Sequence, residues 1–90
     1  MRYQFNGFSI FDDKGEVKQL VGSLIQKKDP EVVIEHMRKI DFYYIFVLSK
    51  KGRSQEVELI RTEIDASWDW RNGNIDDTLQ KKVLDAIAGL

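Results

Sequence analysis

Cysteine is missing from this chain altogether, and proline and histidine occur once each, as Pro30 and His36. Without cysteine there is no disulfide staple, no thiolate metal ligand and no thiol chemistry. A lone histidine offers no His-x-x-x-His spacing for a metal, and no pattern directs a carboxylate at it for a catalytic dyad. The glycines at positions 7, 15, 22, 52, 73 and 89 are scattered singly, so no glycine-rich loop cradles a phosphate. An excess of one charge is lacking too. Fourteen Lys and Arg stand against fifteen Asp and Glu, and a net charge of −1 gives no global pull toward nucleic acid or anionic membrane. No uncharged run approaches the roughly eighteen residues of a membrane span, and the first residues lack the apolar stretch of a signal peptide. A cytoplasmic, soluble protein is the expectation.

What is present is ordinary globular material: 90 residues, 42% apolar and 32% charged, which fits one folded domain over 1–90. The most informative stretch is Phe42–Leu48, an uncharged aromatic and β-branched run too short for a free-standing helix. It reads as a strand that turns at Lys50-Lys51-Gly52-Arg53 and returns as a second strand to about Ile64. A two-residue loop at Lys51-Gly52 pairs Lys50 with Arg53, Phe46 with Val57, Tyr44 with Leu59 and Tyr43 with Ile60. One face then carries Phe42, Tyr44, Phe46, Leu48, Val57 and Leu59 as core. The other sets Tyr43, Ile45 and Val47 against Glu56, Glu58 and Ile60.

Elsewhere, Asn6-Gly7 between the alternating runs Arg2–Phe5 and Phe8–Phe11 predicts an N-terminal hairpin. A rival reading turns instead at Asp12-Asp13-Lys14-Gly15. Val17, Leu20, Val21, Leu24 and Ile25 have helical spacing, with a strand through Val17–Val21 as the competing reading. Asp29-Pro30-Glu31 predicts the start of a second helix running to Ile40, with Val33, Met37 and Ile40 along one side and Glu35 paired to Lys39. Residues 65–74 read as a loop containing Trp68-Asp69-Trp70. A last helix begins near Asp76, capped by Asn74 or Asp76, with Leu79, Val83, Ala86, Ile87 and Leu90 as its stripe and Asp77 set four residues before Lys81. The fold class is therefore α+β: a small antiparallel sheet of two hairpins, with about three helices mainly on one face, in the order ββααββα. A β-meander at the N-terminus with fewer helices is the alternative.

The carboxylate pairs Asp12-Asp13, Asp76-Asp77 and Glu56-x-Glu58 are explained by helix starts and a strand face, and none has calcium-loop spacing. No serine or threonine lies in Gly-x-Ser-x-Gly or Ser-x-x-Lys. Catalytic, cofactor and metal residues are accordingly expected to be none, and the protein is read as a non-enzymatic interaction or assembly module, with a protein partner or a second copy of itself. The expected interface comprises Tyr43, Ile45, Val47, Ile60, Trp68 and Trp70, because large aromatic side chains dominate protein interfaces. The alternative is a small nucleic-acid-binding protein using the cationic hairpin tip Lys50, Lys51 and Arg53.

Overall fold

A computed structural model describes residues 15–40 and 43–90. The expected Asn6-Gly7 hairpin, the acidic pair Asp12-Asp13 and the strand residue Phe42 lie outside the described residues. Helix α1 (Glu16–Lys28) is followed by β1 (Val33–Ile40), β2 (Tyr43–Lys50) and β3 (Arg53–Ile60). A short helix α2 (Arg61–Asp65), a single 3₁₀ turn (Trp70–Asn72) and helix α3 (Asp77–Ala88) complete the order. The class is α+β, with three helices and a three-stranded antiparallel sheet, β1-β2-β3, among the described residues. No helix among them is long and apolar enough to cross a membrane.

Helix α1 forms where its apolar spacing predicts. Val17, Leu20, Val21, Leu24 and Ile25 are all buried, and Lys27 and Lys28 sit at the negative end of its dipole. Helix α3 is equally regular: Leu79, Val83, Ala86 and Ile87 are buried, and Asp76 caps it by accepting the Leu79 amide at 3.0 Å. Lys81 pairs with Asp85 at 2.7 Å, one turn ahead, rather than with Asp77 behind it. Both long helices pack on the sheet face formed by Tyr44, Phe46, Leu48, Val57 and Leu59. Each such fully buried side chain contributes about 1.5–3 kcal/mol through the apolar surface it removes from water.

The β2–β3 hairpin has the expected register, with Lys50 opposite Arg53, Phe46 opposite Val57, Tyr44 opposite Leu59 and Tyr43 opposite Ile60. Its turn places Lys51 at φ 52° and Gly52 at φ 82°. Two consecutive positive φ angles match the right-handed twist of the flanking strands. The returning strand ends at Ile60, short of the expected Ile64. Glu63 closes it by accepting the Ile60 amide at 3.0 Å, which starts helix α2. The expected loop over 65–74 is likewise partly ordered, since Asp65 ends α2 and residues 70–72 form the 3₁₀ turn.

The larger correction concerns residues 30–40, expected as a helix: Val33–Ile40 form strand β1, preceded by a turn. Asp29 closes one helix instead of opening another. Its amide donates to the Ile25 carbonyl at 2.8 Å, and its Oδ1 accepts from the Glu31 amide at 3.1 Å. Its carbonyl then accepts from the Val32 amide at 3.1 Å, completing a turn into the strand. Among the described residues the order is thus helix, three strands and helices, which does not match the expected ββααββα. Glu35 and Lys39 consequently do not stack on a helix face. Between Ile34 and His36 the β1–β2 register shifts, leaving Glu35 as the extra residue of a bulge.

Candidate interaction face

With the helices on one side of the sheet, alternation sends the remaining side chains to the other. The register sorts that second face into rows, because residues directly opposite share a side. His36, Val47 and Glu56 form one row, and Arg38, Ile45 and Glu58 the next. Ile40, Tyr43 and Ile60 form a third, wholly apolar row at the end of the sheet. Read along the strands, β2 supplies an apolar spine of Tyr43, Ile45 and Val47. The β1 side carries Arg38 with His36 beside it, and the β3 side is acidic through Glu58 and Glu56.

This face stays open among the described residues. Tyr43 is 41% exposed, Ile40 41% and Val33 55%, while Ile45 and Val47 are half-buried. His36, Arg38, Glu56 and Glu58 are exposed. Arg38 and Glu58 stand on the two outer strands of the described sheet, on either side of Ile45 and on the order of 10 Å apart. No ion pair among the described residues involves any of these four side chains.

Four of the six residues expected at an interface, Tyr43, Ile45, Val47 and Ile60, are brought together here. The two tryptophans are not part of it. Trp70 packs against the core and its Nε1 donates to Glu16 Oε2 at 3.4 Å. Arg71 stacks 4.5 Å from the Trp70 ring and binds both Glu16 oxygens, clamping this turn to α1. Trp68, 68% exposed, stands on the surface between α2 and the 3₁₀ turn. Ile40, His36 and Arg38 belong to the face but were assigned to a helix by their spacing. The β-branched run Val32-Val33-Ile34 is the signal that favours a strand there.

The hairpin-tip cations have acceptors within the chain. Lys50 Nζ bonds Asp29 Oδ2 at 2.6 Å, Lys51 lies 3.7 Å from Glu31, and Arg53 donates to the Gly89 carbonyl at 3.3 Å. The Lys50 hydrogen bond, helped by the Glu31 amide, holds the Asp29 carboxyl below its ordinary range, and the same bond raises the Lys50 ammonium. Burial pushes the Tyr44 phenol and the Asp65 carboxyl upward. His36 lies opposite Val47 on β1 and lines neither of two surface grooves, one formed by Gln55–Glu58 with α3 and one by Tyr43 with Ile60–Thr62. No group of three or more His, Cys, Asp or Glu among the described residues is placed to hold a metal ion. No protein family, curated protein or solved structure matches the chain.

Proposed function

We propose that this protein is a non-enzymatic interaction or assembly module of the cytoplasm, and that it binds protein through the open face of its sheet. One observation carries the reading. An apolar spine of Tyr43, Ile45 and Val47, closed at one end by Ile40 and Ile60, lies on the face opposite the helix layer. A contiguous apolar patch rimmed by charge has the anatomy of a protein interface, with a greasy centre and a polar border. The cost of leaving such a patch in water is removed when a partner covers it.

The test places a photo-crosslinking amino acid at position 45, inside the patch, and at position 18, on the exposed side of α1. In cells of the native host, position 45 is expected to give discrete protein adducts and position 18 none above background. Equal yields from the two positions refute the reading.

A further inference from the structure

We infer that the occupant of the open face is a second copy of the same chain, joined face to face about a twofold axis parallel to the strands. This rests on the reading of the face as a protein-binding surface and adds what binds there. Two symmetric ways of stacking identical sheets differ in which edges meet. An axis across the strands lays β1 over β1 and β3 over β3, so base meets base and acid meets acid. An axis along β2 lays β1 over β3 of the partner and keeps every row at its own height.

Three of the four rows on this face fit the second arrangement, the Val33–Ser49–Ser54 row being neutral. Arg38 meets Glu58 of the other copy and Glu58 meets its Arg38, because both stand in the row of Ile45. His36 meets Glu56 in the row of Val47 in the same way. Along the axis, Ile45, Val47 and Tyr43 each meet their own counterpart, and Ile40 meets Ile60. A closed twofold contact is self-complementary by construction, and here hydrophobicity and charge both satisfy it. Acid and base on opposite edges of one sheet face point the same way, whereas across the facing pair they point toward each other.

Three strands of eight residues offer about 400 Å² per copy, or roughly 800 Å² in total, below the roughly 1,000 Å² of a stable specific interface and in the range of weak, transient ones. The dimer is therefore weak, with Kd on the order of 100 µM.

Sedimentation velocity from 20 µM to 1 mM tests the inference with Arg38→Glu, Glu58→Arg and the double variant, each checked for native circular dichroism. The unaltered protein is expected to pass from monomer to dimer. Each single reversal places like charges opposite each other twice and weakens the dimer by about tenfold or more. An equimolar mixture of the two single variants restores a dimer, as does the double variant alone, because every contact is again acid against base. A monomer at 1 mM overturns the inference, as does a dimer indifferent to the single reversals. Loss in both single variants without rescue by mixing overturns the parallel axis.

The same data separate this inference from the broader reading. A monomer whose position 45 crosslinks to a different protein leaves the interaction function standing and removes self-association. A monomer with no other protein crosslinked at position 45, whose crosslink maps within the chain to residues 1–14, assigns the face to the chain's own first fourteen residues. That result overturns both.

Discussion

The junction between the sheet and the C-terminal helix depends on one buried carboxylate, which makes a quantitative test of the packing. Glu63 Oε1 accepts from the Ile60 amide at 3.0 Å and from Lys82 Nζ at 3.0 Å, and its Oε2 lies 2.9 Å from the same ammonium. The carboxylate side chain is 8% exposed and the ammonium side chain 35%. Replacing Lys82 by Met leaves a buried negative charge with the Ile60 amide as its remaining partner in this set. An orphaned charge in a fully buried pair costs about 3–5 kcal/mol, and partial exposure of Lys82 lowers this to about 2–3 kcal/mol. Glu63→Gln keeps an acceptor for Ile60 and removes the charge, so it costs about 1–2 kcal/mol.

The double variant no longer contains an orphaned charge and should also lose only about 1–2 kcal/mol, giving a coupling of about 2 kcal/mol between the two positions. Urea titrations at pH 7 read this directly. With a slope near 1 kcal/mol per molar for a domain this size, Lys82→Met moves the midpoint down by about 2 M. A Lys82→Met variant within about 0.5 kcal/mol of the parent, or a cycle that is simply additive, refutes the account of this pair.

Two further outcomes concern other polar ties. Ser67 is fully buried, donates to the Glu63 carbonyl at 2.9 Å and accepts from the Asp76 amide at 2.9 Å, so it joins the end of α2 to the cap of α3. Ser67→Ala should cost about 2 kcal/mol and lower Tm by roughly 8–16 °C, whereas Ser54→Ala on the exposed hairpin should change Tm little; equal shifts in differential scanning calorimetry contradict this. For Asp29–Lys50, the stability difference between the parent and Lys50→Met should be constant near neutral pH. The Asp29 share is lost as pH falls from about 4 through its lowered folded value, and the Lys50 share as pH rises from about 10 through its raised one. Denaturation midpoints that differ by the same amount at pH 2.5 and pH 7 contradict the assignment.

Helix α1, helix α3 and the β2–β3 hairpin were legible because each obeys one period over its whole length. The apolar residues of α1 recur every three or four positions, and Tyr44, Phe46 and Leu48 alternate without interruption. Strand β1 was not legible for a specific reason. A bulge adds one residue, so the two residues that face the helix layer on either side of it, Ile34 and Met37, are three apart. Three is a helical interval, and Asp29-Pro30-Glu31 in front of it imitates a helix start. What decides the matter is long-range: β2 has backbone donors and acceptors on both edges, and β1 satisfies one of those edges. The apolar spine of the open face could be read from β2 alone. Its basic border could not, because Arg38 and His36 join it only through that pairing.

The bulge at Glu35 also bears on how association would stop. A long, regular border strand invites strand addition, which propagates into fibres because each new chain presents another border. An irregular strand carrying Glu35, Arg38 and Lys39 discourages that growth mode. Stacking through a flat surface, by contrast, consumes the surface and ends at two. Restricting the border while leaving the surface available would let a chain of 90 residues meet its own copies at high concentration without polymerising. For the proposed face-to-face dimer, deleting Glu35, which regularises the outer strand β1 of the described sheet, is expected to convert a finite complex into an open-ended one.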